Sequence, residues 1–111
     1  MEGFEFLNTE MGLEYCADDE DIYLEVLEGY VEEDRREELN QLFEQENWPE
    51  YRVIAHAIKS TSLTIGAEGL SQKAKALEFA SADGDGDFIK AHHQEMIDMY
   101  ADIITRISGA L

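Results

Sequence analysis

Bases are scarce in this chain: 8 Lys and Arg stand against 26 Asp and Glu in 111 residues, a formal net charge of −18. Neutralising nucleic-acid phosphates needs a broad basic surface, so this balance argues against nucleic-acid binding. Cys16 is the lone cysteine; an internal disulfide framework is excluded, and a reducing compartment fits. There is no basic-then-apolar N-terminal segment, and no apolar run approaches the ~20 residues of a membrane span. We therefore expect a cytoplasmic protein with no membrane partner. Pro49 is the lone proline, and the glycines lie mostly at segment edges, which leaves room for long helices. Strand-like alternation, internal repeats and low-complexity tracts are also missing.

With 44% hydrophobic residues, the chain is long enough to bury one core, so a single domain over residues 1–111 is expected. The 3.6-residue period dominates. Asn8–Cys16 reads as a short helix with Asn8 or Thr9 as N-cap. Asp19–Glu33 reads as a second, with acids in its first turn and an apolar stripe of Ile22, Val26, Leu27, Tyr30 and Val31. Arg35–Glu46 follows with Leu39, Leu42 and Phe43, and no Gly or Pro separates it from the helix before. Asn47-Trp48-Pro49-Glu50 marks a boundary at which proline suits a first helical position and Trp48 either staples the helix start or joins the core. Leu70–Ala82 places Leu70, Ala74, Leu77 and Ser81 on one face and Phe79 off it. After the acidic loop Asp83–Asp87, Phe88–Ile107 keeps Ile89, Met96, Tyr100, Ile103 and Ile107 in register. Helices with one apolar stripe each, joined by short loops, predict an all-α antiparallel four-helix bundle with an additional short N-terminal helix.

The helix Pro49–Ile65 carries the chemistry. Its apolar positions are Tyr51, Ile54, Ile58, Thr61 and Ile65; at about 100° per residue these cluster, and His56 points almost directly opposite. Arg52, Lys59, Ser60 and Leu63 share that outer face. From Arg52 to Lys75 there is one acid, Glu68, against four bases, Arg52, Lys59, Lys73 and Lys75. The most electropositive stretch of an acidic chain thus surrounds an outward histidine, which lowers the cost of placing a dianionic group there. Two nearby cations also favour the neutral, nucleophilic imidazole over its protonated form. His56 lies ten residues before Gly66, about 15 Å along the axis. An antiparallel return therefore brings Lys75, Glu78 and Phe79 level with it. Glu78 then either hydrogen-bonds the imidazole or balances the local charge. Phe79 either docks a partner or packs under the N-terminal segment.

The run His56-Ala57-Ile58-Lys59-Ser60-Thr61-Ser62-Leu63-Thr64-Ile65-Gly66-Ala67, followed by Leu70 and Leu77-Glu78, resembles the histidine-containing phosphotransfer (HPt) domain family. That family's pattern has a lysine three residues after the histidine and Gly-Ala ten and eleven after it. Ser60 stands where glycine is common, and Leu63 is larger than the small residue often found at its position. The resemblance implies a four-helix bundle with His56 as phosphoacceptor and Lys59 beside the phosphoryl group. The remaining candidate access and docking residues are Arg52, Ser60, Leu63, Gly66, Lys75, Glu78 and Phe79. It further implies a monomeric phosphorelay intermediate whose partners are response-regulator receiver domains or a hybrid sensor kinase. The chain has no glycine-rich nucleotide loop and no acids arranged for Mg²⁺, so self-phosphorylation from ATP is not expected. No cofactor of its own is expected; Mg²⁺ would be held by the partner receiver. A helical adaptor that binds receivers without phosphotransfer is the alternative from a different class.

Other titratable residues point elsewhere. His93 falls within the Ile89–Tyr100 stripe and reads as a core-edge residue. His92, His93 and Glu95 do not converge on a metal, because adjacent helical residues diverge by ~100°. Asp83, Asp85 and Asp87 resemble the start of a calcium loop, but Phe88 and Gln94 occupy the positions that need glycine and glutamate.

Overall fold

The computed structural model describes residues 1–111 as an all-α fold of six helices: α1 Thr9–Tyr15, α2 Glu20–Glu32, α3 Arg36–Glu44, α4 Trp48–Thr64, α5 Glu68–Ala82 and α6 Gly86–Ala110. Side chains close the orphan amides at four helix starts. Asn8 accepts from the Met11 amide, Asp19 from Asp21 and Ile22, Asn47 from Glu50, and Asp85 from Phe88. Pro49 sits in the first turn of α4, where its missing N–H leaves no intrahelical bond unmade. None of the helices is long and apolar enough to cross a membrane.

Although no Gly or Pro separates α2 from α3, they are not continuous. The Asp34 carboxylate turns back to accept from the Arg36 amide (3.0 Å) and guanidinium, an alternative to helical pairing. The backbone groups released there are satisfied from α6: the Tyr100 hydroxyl accepts from the Arg35 amide at 3.2 Å and donates to the Glu33 carbonyl at 3.4 Å. A distant phenol makes this break affordable.

The buried face of α2 is Tyr23, Leu27 and Tyr30. It is rotated from the expected stripe, for Ile22 is exposed, and Val26 and Val31 only partly buried. Two phenols decide the rotation. Tyr23 donates to the Ile65 carbonyl at 2.6 Å, and the Tyr30 and Ser62 hydroxyls pair at 2.8 Å. On α4, Thr61 is accordingly exposed, its hydroxyl donating back to the Ala57 carbonyl at 2.9 Å, while Ser62 is buried. On α6, Ile104 is buried more deeply than Ile103.

Tyr51, Ile54 and Ile58 of α4, Leu70, Ala74 and Leu77 of α5, and Ile89, Met96, Tyr100 and Ile107 of α6 fill one core together with Leu39. Each large side chain fully buried there contributes roughly 1.5–3 kcal/mol. The N-terminal segment closes its end through Phe4 and Leu7. Gly66, with φ +88°, makes the turn into α5, its carbonyl accepting from the Asn8 amide at 2.9 Å. A Cβ at this position would collide with the Asn8 backbone. Gly66 is therefore buried under the N-terminal segment, and its candidacy as an access or docking residue is corrected.

His93 is buried and stacked on Phe43, with ring centroids 4.0 Å apart. Its Nε2–H donates to Asn40 Oδ1 at 2.7 Å, so Nδ1 accepts from the Tyr51 hydroxyl at 2.8 Å. Burial lowers its pKa from the ordinary 6.5 to about 4, because a charged ring would lose its solvation there. As pH falls below 6.5 the unfolded chain takes up a proton that the fold resists. Stability is lost until about pH 4, where the folded form also protonates. Urea titrations should show about 3 kcal/mol of loss between pH 7 and 4 from this residue. His93→Gln should be less stable at pH 7 but flatter across the window; an unchanged slope would exclude His93 as the source.

Candidate functional site

The Tyr51, Ile54, Ala55, Ile58 and Ser62 face of α4 is buried, which leaves the opposite face to solvent. His56 stands there with its side chain 59% exposed. Helix α5 returns alongside α4: the Ser71 hydroxyl donates to the Lys59 carbonyl at 2.9 Å, and one further stretch along α5 Glu78 reaches His56. The order of these contacts rises on one helix as it falls on the other, so the two run antiparallel at the site.

Glu78 is the organising residue. Its side chain is 10% exposed, with Oε1 2.8 Å from His56 Nδ1 and Oε2 2.8 Å from Lys59 Nζ. Oε2 is fully buried and accepts no well-aligned hydrogen bond; the Lys59 ammonium holds it by charge. Desolvation pushes the Glu78 carboxyl upward, but the Lys59 ammonium and the His56 imidazole beside its two oxygens together outweigh it and hold the pKa below the usual carboxylate value. An ionised carboxylate can only accept, so Nδ1 of the imidazole carries a proton. In the neutral ring the lone pair is then on Nε2, the outer nitrogen.

The four bases counted along the sequence are not equivalent in space. Lys59 is paired with Glu78, and Lys73 with Glu95 at 2.8 Å. Lys75 has no acid partner and lies 5.6 Å above the ring of Phe79. Arg52 is exposed and makes no ion pair. Phe79 is itself exposed and does not pack under the N-terminal segment. Ser60 and Leu63 are both on the open side of α4.

Val53, which sequence reasoning passed over, is 57% exposed beside these residues. It lines an open cleft of about 300 Å³ with Arg52, His56 and Glu78. The signal was available: three residues before His56 is a neighbouring position on a helix, and an apolar residue there departs from the buried stripe.

The sequence model of the Hpt domain family matches residues 23–106, and this chain belongs to that family. Hpt domains are the histidine phosphotransfer components of two-component phosphorelays, and they interact with receiver domains and kinases. No curated protein and no solved structure matches the chain.

Nitrogen NMR of the imidazole tests the bracing by Glu78. The wild-type spectrum at pH 8 should show His56 dominated by the Nδ1–H tautomer. In Glu78→Ala the ring should shift toward the Nε2–H tautomer that free imidazoles favour. Identical ¹⁵N patterns in the two proteins would mean the carboxylate does not fix the ring.

Proposed function

We propose that the chain is a phosphorelay intermediate that accepts a phosphoryl group on His56 Nε2 from a receiver-domain aspartyl phosphate and passes it to another receiver's aspartate. The observation that carries this reading is the 2.8 Å contact between His56 Nδ1 and the buried Glu78 carboxylate, which turns the lone pair of Nε2 toward solvent. Attack by that lone pair forms the N–P bond while the P–O bond to the aspartate breaks, its electron pair leaving on the carboxylate oxygen. The ring gains one positive charge, which the Glu78 carboxylate, hydrogen-bonded at Nδ1–H, offsets. The charges balance: a neutral ring and a dianionic acyl phosphate give a phosphorylated imidazolium of net charge −1 and a free carboxylate. The reverse step follows the same path, and positioning and electrostatics supply most of the acceleration.

The receiver supplies both the aspartate and its Mg²⁺, and the chain acts as a monomer in the cytoplasm. Its scaffold is read as an antiparallel four-helix bundle in which α2 and α3 together form one column, α4, α5 and α6 the other three, and α1 the additional N-terminal helix. The opposing order of the Tyr23–Ile65 and Tyr30–Ser62 contacts, and of those joining α4 to α5, supports this arrangement.

Docking is assigned to the face around His56. Val53, Leu63 and Phe79 are exposed apolar groups on that side, with Arg52 and Lys75 as cations near them. Apolar anchors at the centre of an interface carry more binding energy than charges at its rim.

His56→Gln should abolish acceptance of label from a phosphorylated receiver while leaving the helical fold intact, since the side chain is exposed and a glutamine amide keeps a donor for the Glu78 carboxylate. The label on wild type should be acid-labile and alkali-stable; label persisting in the variant on His92 or His93 would overturn the assignment. Separately, Leu63→Ala and Val53→Ala should each weaken receiver binding by roughly tenfold, slowing transfer in parallel. A titration followed by amide NMR should centre on Ser60, Leu63 and the residues near Phe79. Shifts centred on Lys90–Asp98 instead would move the docking face to α6.

A further inference from the structure

Resting on His56 as phosphoacceptor, we propose that Arg52 is the cation that holds the phosphoryl group, and that Lys59 is a positioning residue acting through Glu78. A lysine one turn C-terminal to the acceptor is the expected phosphoryl partner from sequence, but its ammonium is already engaged. Lys59 Nζ is 2.8 Å from Glu78 Oε2, and its side chain is only 23% exposed. Oε2 is a fully buried carboxylate oxygen with no hydrogen-bond partner to replace that ammonium. Swinging Lys59 onto a phosphoryl group would strand this oxygen, and a buried charge without a partner is strongly destabilising. Lys59 therefore stays with Glu78, and Glu78 stays with the imidazole.

The space beside the imidazole lies on the other side. A helical side chain leans toward the N-terminus and covers the turn before its own Cα. The His56 ring accordingly lies over the turn that contains Arg52 and Val53. The open cleft at the ring is lined by Arg52, Val53, His56 and Glu78, with no contribution from Lys59. Its volume of about 300 Å³ exceeds that of a phosphoryl group.

Arg52 is the free cation of that cleft, exposed and in no ion pair. Its planar guanidinium presents paired N–H donors that match phosphoryl oxygens, which an ammonium contacts as a point charge. The charges divide accordingly. Lys59 cancels Glu78, whose carboxylate would otherwise repel the incoming dianion, and Arg52 meets the phosphoryl group itself. Lys75 is also unpaired, but it lies over the Phe79 ring and does not line the cleft.

The 111-residue chain phosphorylated with phosphoramidate, followed by ³¹P NMR across pH, tests the division. A cation bound to the phosphoryl oxygens favours the dianion. Arg52→Gln should therefore raise the ³¹P titration midpoint by about half a pH unit, and Arg52→Lys should recover part of that shift. Lys59→Met should leave the midpoint near the wild-type value and instead disturb the ¹⁵N tautomer pattern of His56 in the unphosphorylated protein. A midpoint that moves with Lys59→Met and not with Arg52→Gln would overturn the inference and return the phosphoryl contact to Lys59. Failure of the wild type to give any phosphohistidine resonance would overturn the phosphoacceptor reading itself, and the inference with it.

Discussion

Burying a carboxylate between two helices costs several kcal/mol unless its oxygens find partners. Glu78 meets that demand with one residue on each oxygen, both from α4: the imidazole of His56 and the ammonium of Lys59. The demand fixes the two helices in register, since a shift of one residue along either axis would break both contacts. It also fixes the ring, because an acceptor-only carboxylate selects the protonated state of Nδ1. Fold and chemistry thus depend on the same three side chains. The cost of burying charge is offset only in the arrangement that turns the outer nitrogen to solvent.

That register needs an α4 axis that does not drift, and the opposite face of the helix supplies the anchors. Tyr30 binds Ser62, Tyr23 binds the last carbonyl of the helix at Ile65, and Tyr51 binds His93. Three phenols therefore tie one helix to α2 and α6 through hydrogen bonds with strict directional demands, which apolar packing alone lacks. The N-terminal segment adds a fourth restraint at the α4–α5 turn, where Gly66 accepts from Asn8 at a backbone approach too close for any side chain. The exposed imidazole of His56 is mounted on a helix held from behind along its length.

Electrostatics follow from pairing more than from counting. A net charge of −18 sets the long-range field of the chain, yet at the site the relevant quantity is which cations lack partners. Lys59 and Lys73 are neutralised by Glu78 and Glu95, leaving Arg52 and Lys75 on the open face. Arg52 and Val53 share one cleft with the imidazole, and Leu63, Lys75 and Phe79 are exposed on the same two helices, a surface unlike the acidic remainder.

The sequence by itself determined the helical class, the Asn8 cap, the outward direction of His56 and the family motif. Each is a local property, written in a 3.6-residue period or in a few adjacent residues. Tertiary structure alone decided the rest. Tyr100, far along the chain from α2, accommodates the break before α3; Tyr23 and Tyr30 rotate α2 away from the stripe its aliphatic residues suggested; and Gly66 belongs to the packing of the N-terminal segment. Glu78 was placed level with His56 by helix arithmetic, but its choice between the imidazole and a general balance of charge was not. That choice rests on burial and on the competing pull of Lys59 across the helix pair. A hydrogen bond between residues far apart in sequence carries no periodic signature, so it becomes readable only when the helices that bear its two ends have packed.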